Sequence, residues 1–148
     1  MLIDTLKTIL NRDLLKLKAE IELYKDEKKI WLIDKNIANS AGNLCLHLIG
    51  NLNTYIGKEI GQTNYVRNRD LEFSQKDVAR TELVKNIDAT DIVVQDALSK
   101  MKEEDLGKEY PLLVFDKKTS HEYFLVHLVA HLSYHLGQIN YHRRLLDN

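Results

Sequence analysis

Apolar residues recur every third or fourth position near the start of the chain: Ile3, Leu6, Leu10, Leu14, Leu17, Ile21 and Tyr24. At 3.6 residues per turn these positions share one face, so the spacing predicts an amphipathic helix over 2–28. Such a helix cannot bury its stripe alone, and the rest of the chain must supply partners. One proline, Pro111, and six glycines are all that interrupt 148 residues, so further long helices are expected.

The segment "KIWLIDKN" reads as a connector, with Trp31 anchoring it to the core. Ser40 is a plausible N-cap for a second helix over 40–58, with Leu44, Leu48, Leu52 and Tyr55 on its apolar side. Gly57 and Gly61 mark its end. "QTNYVRNRDLEF" is polar and irregular and reads as a long loop carrying Arg67 and Arg69. Ser74 opens a third helix, whose body covers 75–102 with Val84, Ile87, Val94, Leu98 and Met101 at helical spacing. Pro111 cannot sit inside a helix, so "EEDLGKEYPLLVFDKK" is a second break, with "LLVF" briefly extended. Thr119 as N-cap with Glu122 three residues on forms a capping box for a last helix over 120–146. The fold class is all-α, an antiparallel four-helix bundle, as one domain over 1–148.

Composition removes several functions. Net charge is −1, with both signs interspersed, so the dense basic surface that a nucleic acid demands is missing. Cys45 is the only cysteine, which rules out an internal disulfide and makes a reducing, cytoplasmic location the expectation. "MLIDTLKTILNRDLLKLK" does not read as a signal peptide, and no apolar run is long enough to span a bilayer.

The stretch "HLVAHLSYHLGQINYH" holds four of the six histidines. On a helical wheel His127, His131, His135 and His142 fall within an arc of roughly 80°, with Gln138 among them. Leu125, Leu128, Leu132, Leu136 and Ile139 fill the adjoining arc, so the imidazoles border the core. Buried rings need polar partners. A metal ion satisfies several at once: two histidines at i and i+4 reach one ion, and a third from another helix leaves a coordination position open. His47, beside the apolar seam of helix 2, is the natural third, with Asn51 one turn on as a supporting group. The competing reading is a set of ordinary hydrogen-bonded core histidines, and H-x-x-x-H alone does not decide between them. The zincin motif H-E-x-x-H is absent, as is the Glu-x-x-His of carboxylate-bridged di-iron bundles. Cys45 lies about 200° from His47 on its helix and reads as packing.

"NSAGNLCLHLIGNL", followed later by "HLVAHLSYHLGQINYHRRLL", resembles the DinB-like superfamily of metal-binding four-helix bundles, across essentially the whole chain. That superfamily includes bacillithiol-dependent transferases and mycothiol-dependent maleylpyruvate isomerases. The resemblance implies an up-down-down-up bundle with a long crossover between helices 2 and 3. It implies three metal ligands, which by motif fall on His47, His131 and His135, with zinc or nickel as the divalent ion. His127 then lines the pocket. His142, roughly 10 Å along the axis from His135, is too far to share the ion, and His121 reads as surface.

Such a site supports transfer of a low-molecular-weight thiol, acting as co-substrate, to a small-molecule electrophile. It equally supports hydrolysis of a small substrate, or a non-catalytic, metal-stabilised interaction module. The resemblance favours thiol transfer. No carboxylate lies at helical spacing beside the histidine pair, so no general base is identified. Arg67 and Arg69 are candidates for holding a substrate carboxylate, although a solvated polar loop is the simpler reading, and Tyr134 borders the histidine face. Ile9, Leu23, Ile92 and Val93 lie beyond the main stripes, and with the habit of the superfamily they suggest a homodimer.

Overall fold

The computed structural model describes residues 1–148. It is all-helical, and β-pairing is limited to an isolated bridge between Glu109 and Ser120. Five α-helices follow in order: α1 (Leu2–Leu23), α2 (Ala41–Leu52), α3 (Arg69–Ser74), α4 (Arg80–Ser99) and α5 (His121–Leu146). A π-helical turn, Asn53–Lys58, prolongs α2, and short 3-10 turns occupy Glu27–Trp31 and Glu103–Gly107. No helix is long and apolar enough to cross a membrane.

Burial follows the stripes. All seven residues of the α1 stripe are buried, as are Leu44, Leu48 and Leu52 of α2, Ile87, Val94 and Leu98 of α4, and Leu125, Leu128, Leu132 and Ile139 of α5. Fully burying one such side chain stabilises the fold by about 1.5–3 kcal/mol. α1 packs on α4 and α5, while α2 packs on α3, α4 and α5, so the four long helices share one continuous core.

The boundaries differ from expectation where side chains intervene. α1 stops at Leu23 rather than near 28, because the backbone N–H groups of Lys25 and Asp26 donate to the Asp147 carboxylate at 2.5 and 3.1 Å instead of to α1 carbonyls. The long polar loop contains α3, capped by Asn68, whose side chain accepts from the Leu71 N–H at 3.2 Å. Ser74 ends α3 and does not open the next helix. Asn43 Nδ2 donates to the carbonyls of Glu72 and Gln75 at 2.9 and 2.8 Å, Gln75 is extended, and Asp77 has φ 59°. α4 therefore begins only at Arg80. The cap of α5 is Ser120, not Thr119: Ser120 Oγ accepts the Tyr123 N–H at 3.1 Å, while the Thr119 carbonyl is held by the Tyr110 N–H at 2.8 Å. "LLVF" forms no strand.

Trp31 is buried against α2, as the connector reading required. The contact depends on Gly42, since a Cβ there would lie 2.5 Å from the indole ring.

Candidate metal centre

Ser40 Oγ starts α2 by accepting the Asn43 N–H at 3.1 Å, and one turn further His47 points inward, 7% exposed. α5 supplies His131 and His135 from successive turns of one face. His47 Nε2 and His131 Nε2 are 3.2 Å apart. Ring centroids are separated by 4.6 Å for His131 and His135 and by 5.4 Å for His47 and His135. One donor atom from each of the three rings lies within 4.8 Å of the others.

These distances suit a divalent ion. Two imidazole nitrogens at about 2.0–2.1 Å from a tetrahedral zinc stand about 3.3 Å from one another, and the His47–His131 pair is already near that spacing. The protonation states suit it too. Burial, with smaller contributions from His135 and His47, pushes His131 down to about 4, so its ring is neutral at neutral pH. Burial also lowers His135, against an opposing hydrogen bond that its ring donates to Gln138. Neutral imidazole is the ligand form.

Two rings are oriented from behind. Gln138 Oε1 lies 2.7 Å from His135 Nδ1, accepts its proton and leaves Nε2 bare, as befits a residue on the histidine face. His47 Nδ1 lies 3.0 Å from Glu72 Oε1. Glu72 comes from α3 and is 7% exposed. Arg67 grips it with both ends of the guanidinium, Nε to Oε2 at 2.8 Å and Nη2 to Oε1 at 3.0 Å. Burial alone would raise the Glu72 carboxyl, but hydrogen bonds from His47 and Arg67 and the Arg67 charge outweigh it, and the net shift is downward. His131 Nδ1 is buried with no partner.

The remaining candidates sort themselves by contact. Arg67 belongs to the centre through Glu72 and lies over the Tyr55 ring at 5.6 Å, so it is not a free solvated side chain. Arg69 is exposed and stacks over Phe73 at 5.3 Å, and Phe73 in turn stands 4.9 Å from the His47 ring. Tyr134 is 65% exposed and meets His135 edge-on at 5.2 Å. His127 stands 6.0 Å from His131 and 4.8 Å from Phe115, outside the three-ring cluster. Asn51 is buried but makes no hydrogen bond to the three rings, and its Oδ1 has no partner. His142 is buried elsewhere, between Tyr24 and the Leu32 carbonyl. His121 is half-buried and bonds the Lys108 carbonyl at 2.9 Å through Nδ1. Burial pushes the Cys45 thiol up to about 12, which suits packing and not nucleophilic chemistry.

Sequence reasoning misses Glu72. The available signal is "RDLEF", where Leu71 and Phe73 flank the carboxylate in an otherwise polar run.

An all-helical chain with a cluster of three histidines fit to hold a metal ion is thus the class that fold and site define. Residues 3–148 match the family described as "Protein of unknown function (DUF1572)", and the chain belongs to it. No curated protein matches the chain.

Proposed function

We propose that this chain is a DinB-like, metal-dependent enzyme that transfers a low-molecular-weight thiol to a small electrophilic substrate. In this reading His47, His131 and His135 hold zinc or nickel. The observation that carries it is the convergence of three imidazoles, two of them with an acceptor behind Nδ1, with no fourth protein donor in the cluster. A divalent ion held there would lower the pKa of a thiol or water in its open position. His47, His131 and His135 fix the ion's place. Phe73 covers one side of the His47 ring, and the free guanidinium of Arg69 beyond it is available to an anionic group on a substrate.

The reading includes an up-down-down-up four-helix bundle with a crossover between α2 and α4 that carries α3. Its support is the order of contacts. Lys7, Asn11 and Lys18 of α1 meet Ser99, Asp91 and Asp88 of α4 in reverse order, whereas Glu20 and Tyr24 meet Asn140 and His142 of α5 in the same order. His47 of α2 and Tyr55 of the π-helical turn that prolongs it meet His131 and Phe124 of α5 in reverse order.

A homodimer belongs to the same reading. Leu23 and Ile92 are 56% and 71% exposed and support it. Ile9 and Val93 are half-buried and lend it little, Val93 lying over Gly57.

Metal analysis of the purified protein, followed by thiol-conjugation assays on small electrophiles with the zinc-loaded and nickel-loaded forms, tests the function. Stoichiometric metal with thiol consumption supports it. Metal with hydrolysis and no thiol consumption would replace transfer by hydrolysis, and absence of metal binding would remove both.

A further inference from the structure

We propose that Glu72 is a positioning residue for His47, fixing the imidazole as the Nδ1–H tautomer so that the Nε2 lone pair faces His131 and His135. The inference rests on the metal reading above for its consequence, but not for its geometry.

The assignment follows from donor and acceptor chemistry. His47 Nδ1 has two polar neighbours: Glu72 Oε1 at 3.0 Å and Arg67 Nη2 at 3.4 Å. A carboxylate only accepts and a guanidinium only donates. A bare Nδ1 would turn its lone pair on the carboxylate, whereas a protonated one donates to it over the shorter distance. Arg67 needs nothing from His47, because both oxygens of Glu72 already take its N–H groups. With the proton on Nδ1, the lone pair is on Nε2, the atom 3.2 Å from His131.

The surroundings are built for this carboxylate. A glutamate on a short surface helix has no reason to be buried unless partners offset the loss of water. Here the helix is held down by Asn43, whose Nδ2 donates to the backbone carbonyls of Glu72 and Gln75. The space is opened by Gly50, almost one turn beyond His47 on α2. A Cβ at Gly50 would lie 1.9 Å from Glu72 Oε2. One methyl group on α2 and the buried carboxylate therefore exclude each other. The atom that must give way is the tip of a flexible side chain, so Gly50→Ala should expel the carboxylate at little cost to the backbone.

Partners behind a metal-binding imidazole typically change metal affinity 10–100-fold, by about that order when removed. Glu72→Ala and Gly50→Ala should each weaken zinc binding to about that extent. Glu72→Gln, whose amide oxygen still accepts from Nδ1–H, should recover part of the loss.

The test has two arms. Long-range proton–nitrogen NMR of the histidine rings in the metal-free protein reads the tautomer of His47 directly. Competition of a chromogenic chelator for zinc alone reads the affinity, and thermal melts of the metal-free variants check folding. The expected result is Nδ1–H for His47 in the parent chain, lost in Glu72→Ala and Gly50→Ala together with 10–100-fold in zinc affinity. Unchanged zinc affinity in both variants would overturn the proposal while leaving the metal reading intact. A His47 ring protonated at Nε2 in the folded, metal-free parent would overturn it whether or not zinc binds. A parent chain that binds no zinc but shows the Glu72-dependent tautomer would sink the metal reading and uphold the positioning role.

Discussion

The Tyr24 hydroxyl and His142 Nδ1 are 2.6 Å apart in the interior, while His142 Nε2 meets the Leu32 carbonyl at 2.8 Å. A carbonyl only accepts, so Nε2 carries the proton and Nδ1 receives the Tyr24 O–H. Both nitrogens are satisfied in the neutral ring, and burial opposes a second proton. Burial accordingly lowers the His142 pKa, with the Leu32 bond opposing.

This gives a pH dependence with a definite sign. Below the unfolded histidine value of about 6.5, the unfolded chain takes up a proton that the folded one resists. The contribution is complete above that pH and declines as pH falls from it toward the folded value. His127, His131 and His135 are lowered too and act in the same direction. Urea denaturation of the metal-free protein at pH 7.5, 6.5 and 5.5 should show a falling midpoint. A flat profile would contradict the buried neutral rings. In His142→Ala the slope should shrink, and the orphaned Tyr24 hydroxyl and Leu32 carbonyl should cost about 1–3 kcal/mol.

Zinc binding should separate the histidines. His131→Ala removes the imidazole nearest His47 and should abolish stoichiometric binding, whereas His142→Ala should bind one ion per chain like the parent. Elemental analysis after dialysis reads both. Retention of zinc by His131→Ala would mean that a different set of donors holds the ion.

Gly42→Ala should displace Trp31 from its seat on α2. Forcing a methyl group into a packed contact costs about 1–3 kcal/mol. Trp31 is the only tryptophan, so its emission reports the site alone and should shift to the red. An unshifted spectrum with parental stability would show that the contact is looser than described.

Assembly is testable by light scattering at micromolar concentration. The proposed homodimer requires twice the chain mass of 17.2 kDa. A clean monomer would leave Leu23 and Ile92 as isolated exposed apolar residues, which are common on soluble surfaces, and would not touch the metal centre.

The stripes of α1 and α5 and the pairing of His131 with His135 are legible in sequence because they depend on local period alone, whereas His47 joins them by its place beside the apolar seam of α2 and by the family resemblance. Ile3 to Tyr24 is buried position by position as the 3.6-residue repeat demands, and His131 and His135 fall together for the same reason. What escapes is fixed by contacts between distant residues. α3 exists in a polar run because Asn43 holds its carbonyls, and Glu72 reaches His47 because Gly50 lacks a side chain. Thr119 and Ser120 are equally good caps by composition, and only the Tyr110 backbone decides between them. No periodicity encodes such relations.

The carboxylate of Asp147 on the N–H groups of Lys25 and Asp26 bears on the order of folding. α1 has the most regular pattern in the sequence and invites the idea of an early, autonomous helix. Its C-terminal boundary, however, is set by a residue 122 positions away along the chain. Closing so long a loop is slow compared with local helix formation. In any intermediate that lacks a docked α5, the Lys25 and Asp26 N–H groups are therefore free to return to α1 carbonyls, and their amide exchange should reach native protection only together with α5.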